Sequence, residues 1–255
     1  MSESLPLDAF VAGGYLLGQP FEPPPDRPPE WVPADLVAPT MWTLATCMAE
    51  ILPAEWAFMT WLPTPTRKQR EDGAALWGID AAVVDALVAW AHEQVREGRV
   101  LRHHVFVDVA TAREFATRFL PHRSNFKLVG LGLRSEVATG FLLEVATHGD
   151  VSPGYKGAPN GVRDGVERGV PLEPGGTVIG YEVLDVALGQ PRCSWHCNHV
   201  EHRVLERLGV RAKPDGFLAS LDDAERVANF CRSERVGCGS GLWRAWRVAE
   251  YALGD

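Results

Sequence analysis

The densest concentration of chemistry-bearing side chains is Cys193-Ser-Trp-His-Cys-Asn-His-Val-Glu-His202. Thiols and imidazoles at this density suggest a zinc-stabilised module, with Cys193, Cys197, Cys231 and Cys238 as the candidate ligands. The spacing argues against it, because neither C-x2-C nor H-x3-H occurs. Projection as a helix over about Ser194–Leu208, at about 100° per residue, separates the two ligand types. Cys197 falls with Val200, Val204 and Leu208, and Cys193 would join them if the helix reached it. His196, His199 and His202 fall opposite, beside Arg203 and Glu206. The thiols then read as small buried hydrophobes and the histidines as a wet face. No cofactor is expected.

The same projection leaves Asn198 and Glu201 flanking the apolar side, where a carboxylate is costly unless paired. Asn198 as N-cap with Glu201 three residues on would make a capping box. Alternatively, Glu201 pairs with a buried arginine, caps loop amides, or serves as a functional carboxylate in a cleft, where burial would raise its pKa. Cys197 in a first helical turn is the candidate nucleophile, since the dipole there favours thiolate. His103, His122 or His148 would have to supply a base, and nothing in the sequence orders them. Trp195, Trp243 and Trp246 are candidate binding residues, the last two with Arg244 and Arg247 in cation–π reach.

Four segments carry these residues. Residues 1–39 hold nine of the nineteen prolines together with Phe10, Tyr15, Phe21 and Trp31, and read as an extended arm packed through its aromatics. Residues 40–147 read as an N-terminal α/β part. Helices are expected over 41–52, over 67–77, and from Asp80 as N-cap to a stop at Gly98. A strand at 56–62 lies between the first two. Then come a strand at 105–109, a helix at 111–120, a strand at 126–133 and a helix from Ser135. Residues 148–176 contain eight glycines and four prolines, a long loop with a short helix near 160–168 and no phosphate-binding glycine pattern. Residues 177–255 form a C-terminal α/β part. Its pieces are a strand at 178–188, the helix from Ser194, a turn at Pro214–Gly216, a helix capped by Ser220 with Asp223, and a final strand near Leu242–Leu253. The C-terminal part and residues 40–147 are compatible with one domain. The fold class is α/β or α+β, a mixed sheet with flanking helices behind a proline-rich arm.

Hydrophobic residues at 46%, with nine Trp and ten Phe, suffice for a substantial core. A net charge of −8 argues against a nucleic-acid footprint and suits a basic protein partner. No export signal opens the chain, no apolar run is long enough to span a membrane, and the five cysteines are scattered. A cytoplasmic protein with reduced thiols is expected.

Gly180-Tyr-Glu-Val-Leu184, followed by Ser194-Trp-His-Cys-Asn198 and Glu201, resembles an uncharacterised bacterial family with the signature G-x-E-V-L … S-W-x-C-N-x-x-E. Val200, Cys193 and His196 depart from it. The resemblance implies an immunity- or antitoxin-like protein and brings no reaction with it. The leading expectation is a cytosolic binding protein that neutralises a partner by occlusion, and not an enzyme. An enzyme with a cleft between the 148–176 loop and the helix near Ser194, using Cys197 or Glu201, is the alternative.

Overall fold

The structure is a computed structural model that describes residues 5–21, 41–44, 66–77, 79–101, 105–120, 126–147, 161–187, 190–198, 200–236 and 242–254. The strands are β1 (Phe10–Phe21), β2 (Met41–Thr43), β3 (Val100–Leu101), β4 (Val105–Phe106), β5 (Lys127–Arg134), β6 (Thr177–Ala187), β7 (Gln190–Ser194) and β8 (Trp243–Tyr251). They form one antiparallel sheet in the order β3-β4-β1-β5-β8-β6-β7, and β2 pairs with the end of β1. The helices are α1 (Arg67–Trp77), α2 (Ala81–Arg96), α3 (Val109–Phe119), α4 (Ser135–Thr147), α5 (Val162–Glu167), α6 (Glu201–Leu208) and α7 (Leu221–Ser233).

Strand alternation divides the core into two layers. Tyr15, Leu128, Val183 and Trp243 face one layer, where α2, α3, α6 and α7 add Trp90, Phe115, Val204 and Val227. Leu16, Val129, Leu184 and Trp246 face the other, with Phe141 of α4 and Val162 of α5. The fold is thus a mixed α/β one with helices on both faces of the sheet. Among the described residues, no helix is long and apolar enough to cross a membrane.

Local chemistry explains the element ends. The Asp80 carboxylate accepts from Ala82 N at the start of α2, and Asp108 accepts from Thr111 N at the start of α3. The Asp108 cap ends the expected 105–109 strand at Phe106. Ser220 accepts from Asp223 N and returns its own hydroxyl to the Asp223 carboxylate, capping α7.

Three regions depart from expectation. Residues 10–21, read as part of an arm, form a strand between β4 and β5, anchored by buried Phe10 and Tyr15. Residues 41–43, read as the start of a helix, are instead a strand registered against Gln19–Phe21, whose backbone groups offer it an edge. The helix expected from Ser194 starts only at Glu201, because Gln190–Ser194 pairs with β6 and Trp195–Asn198 forms a 3-10 turn. The proline-rich stretch 22–40, the expected strand at 56–62 and most of the glycine-rich loop, 148–160, lie outside the described residues. The short helix expected near 160–168 is α5.

Glycine allows α5 to lie on the sheet. A Cβ at Gly165 would sit 2.0 Å from the Gly13 carbonyl oxygen, so only glycine permits this approach of helix to strand.

Candidate functional site

Two polar arrangements stand out, one sealed and one open. The sealed one is built on β6, where a register shift between Val178 and Gly180 precedes Tyr181. Gly180 has φ 150°, and a Cβ there would meet Leu218 O at 2.8 Å. That closeness lets Leu218 and Tyr181 exchange backbone hydrogen bonds of 2.8 and 3.0 Å. The 213–217 turn is thereby fixed against β6, closed by Lys213 N to Phe217 O at 2.8 Å.

Into this corner β6 projects Glu182, which is only 3% exposed. Its Oε1 accepts from Val183 N at 2.8 Å and from the Ser194 hydroxyl at 3.1 Å. His196 N donates to Ser194 Oγ at 3.2 Å. The His196 ring is 4% exposed and lies between two acceptors, Glu201 Oε1 at 3.0 Å from Nδ1 and Gly216 O at 2.8 Å from Nε2. Gly216 O can only accept, so Nε2 carries hydrogen, and a Glu201 carboxylate against Nδ1 favours protonation of the second ring nitrogen. Burial pulls the His196 pKa down. The hydrogen bond to Glu201, the charges of Glu182 and Glu201, and the Gly216 carbonyl outweigh it and raise the pKa. Burial pushes the Glu182 carboxyl up to about 7, against the opposing pull of His196 and its two hydrogen-bond donors.

The two pieces quoted for the sequence resemblance, Gly180–Leu184 and Ser194–Glu201, therefore meet in one network. Two expectations are corrected by it. His196 is buried, because the chain around it is a 3-10 turn for which the helical projection does not hold. Val200, not Asn198, is the N-cap of α6, and no side chain caps that end. Glu201 is spent on His196 instead. Sequence reasoning missed Glu182 as a site residue. Its signal was a carboxylate inside the otherwise apolar run Val178–Val186, where Asp185 is the other interruption.

The remaining candidates are dispersed. Trp195, Trp243 and Trp246 are buried core anchors, not exposed recognition groups. Trp243 donates to Val236 O at 3.0 Å and Trp246 meets Phe141 edge-on. Arg247 stacks over Phe10, 4.1 Å from the ring centroid, while Arg244 pairs with Glu144. Cys193 and Cys231 are buried, reduced thiols. Among the described residues, no three His, Cys, Asp or Glu side chains are grouped to hold a metal ion. The side chains of Cys197 and Asn198, and the whole of Cys238, His103, His122 and His148, lie outside the described residues.

The open arrangement lies where β5 and β8 part. Their pairing ends at Gly132↔Arg247, while β5 runs on to Arg134 and β8 begins at Trp243. The gap is a groove of about 480 Å³, with α4 on one side and α7 on the other. Leu133, Phe141 and Ala228, all buried, back the groove, and the half-buried Ala245 lies between them and solvent. Arg134 bridges Glu136 and Glu225 at one end, with Glu225 at 3.1 Å. At the other end Arg244 pairs with Glu144 at 2.5 Å, and Arg232 bonds to Asn229. A Cβ on Gly140 would meet nothing within 4 Å, so the α4 wall is open there. Leu143, one turn on, is 65% exposed.

No protein-family model, curated protein or solved structure matches this chain. Functional assignment therefore rests on geometry.

Proposed function

We propose that this chain is a cytosolic binding protein of the immunity type, which neutralises a protein partner by occlusion and docks it at the groove between α4 and α7. The observation that carries the reading is the contrast between the two polar arrangements. The buried His196 ring has both nitrogens committed and no exposed face to offer a substrate. The groove offers charges of both signs, with Leu143 exposed on α4 one turn beyond Gly140, a mixture that protein interfaces use. A net charge of −8 speeds encounter with a basic partner. The test is crosslinked capture from the native host by the full chain and by its Gly140→Leu variant, whose added side chain fills the groove. A stoichiometric partner retained by the wild type and lost by the variant supports the reading. Failure to recover any partner at stoichiometric level overturns it.

Catalysis through Glu201 or Cys197 is the second reading. It is favoured by one observation, the buried His196 ring set against Glu201 and linked through Ser194 to Glu182, a carboxyl–imidazole arrangement that acid–base chemistry uses. It requires the corner to open. If Cys197 alkylates no faster than a model thiol at neutral pH, the nucleophilic version fails.

A further inference from the structure

The charges of the groove are not evenly distributed along it. At one end two carboxylates, Glu136 and Glu225, share the single guanidinium of Arg134. At the other, Arg244 pairs with Glu144 and Arg232 also lines the groove, so two guanidiniums stand with one carboxylate. Partial burial and then the charge of Arg244 lower the Arg232 pKa, and Glu144 opposes them. One end therefore carries excess negative charge and the other excess positive charge. Both walls run in the same sense. On α7 the step from Glu225 to Arg232 is seven residues, about 10 Å of helix rise, and on α4 the step from Glu136 to Glu144 is about 12 Å.

We propose that the groove recognises an extended segment of a partner polypeptide bearing a cationic and an anionic side chain about 10 Å apart. The cation lies against Glu136 and Glu225, and the anion against Arg232 and Arg244. The space between the two ends, lined by Gly140 and Ala245, takes the backbone and small side chain between them. In an extended chain, residues i and i+2 point the same way about 7 Å apart, and their side chains lengthen that span to the groove's charge separation. A ligand of one sign would meet repulsion at one end, so the arrangement selects by charge order as well as by attraction. This specificity rests on the binding reading above and adds to it the chemistry of the docked segment.

The test uses the isotope-labelled full chain and three terminally blocked tripeptides: Lys-Ala-Asp, Lys-Ala-Lys and Asp-Ala-Asp. Amide shifts on α4 and α7 report binding. Lys-Ala-Asp should bind about tenfold more tightly than either single-sign peptide. Arg232→Glu should transfer the preference to Lys-Ala-Lys, and Glu225→Lys should transfer it to Asp-Ala-Asp. Gly140→Leu, which fills the groove without changing its charge, should abolish all three. No shift on α4 or α7 with Lys-Ala-Asp, or equal binding of all three by the wild type, overturns the proposal. A host partner captured equally by the wild type and both charge variants also overturns it, while leaving the binding reading in place. Tripeptide selectivity without any host partner supports the groove chemistry and defeats the protein-partner reading.

Discussion

His196 Nδ1 lies 3.0 Å from Glu201 Oε1, and both side chains are almost wholly withdrawn from solvent. With Gly216 O on the other ring nitrogen, the His196 ring is held between a carboxyl group and a carbonyl, and this surrounding raises its pKa. Such a pair stabilises only while both members remain, since removing one strands a buried charge.

Glu201→Ala should therefore destabilise the fold by about 3–5 kcal/mol, read from urea unfolding at pH 6. Glu201→Gln keeps an acceptor and should cost less. It should also lower the His196 pKa, followed through its ring resonances by NMR. An unchanged His196 titration in Glu201→Gln would show that the contact does not hold the charge.

Acidification should stabilise this protein over a range where most proteins are indifferent. Glu182 titrates near pH 7 when folded against an ordinary 4.5. Its contribution is thus complete below about pH 4.5 and lost as pH rises through about 7. His196 acts in the same sense, because its folded pKa is also raised above its ordinary value of 6.5. Relative to Glu182→Gln, the wild type should lose on the order of 2–3 kcal/mol between pH 4.5 and pH 8. Parallel stability profiles for the two proteins would contradict this.

Two glycines should respond oppositely to alanine. Gly165→Ala drives a methyl into the Gly13 carbonyl and should cost more than about 3 kcal/mol. Gly140→Ala, in an exposed helix interior with open space, should stabilise by about 0.5–1 kcal/mol. Thermal unfolding of both variants checks the pair.

Cys193 and Cys231 should resist alkylation in the native protein. Burial pushes the Cys231 thiol up to about 12, leaving almost no thiolate at neutral pH. Peptide mapping after iodoacetamide treatment should find both thiols unmodified until urea is added. Labelling of either in the native state would show that the core opens.

Legibility in the sequence followed the range of the interactions. α2 and α7 were readable because their signals are local: Asp80 and Ser220 cap within three residues, and apolar side chains recur at helical spacing. β6 was readable because its apolar run is long. β1, which contains Gly13, Gly14 and Gly18, was obscured by the proline-rich composition of residues 1–39, which made the whole segment read as an arm. Two of them serve close packing: Trp246 fills the space over Gly13, and Gly14 has φ 133° beside Val105. The His196 corner was illegible for a different reason. Its partners come from β6, the 3-10 turn, α6 and the 213–217 turn, and no periodicity within Cys193–His202 reports contacts made with Glu182 and Gly216. The groove was hidden likewise, because it depends on where two strands distant in sequence stop pairing.

The most direct measurement is amide hydrogen exchange on the full chain, free and in complex with its captured partner. Docking at the groove predicts new protection concentrated on Ser135–Thr147 and Leu221–Ser233, with α2 and α3 unchanged. Protection confined to α2 and α3, or spread over no continuous surface, would contradict a binding site between α4 and α7.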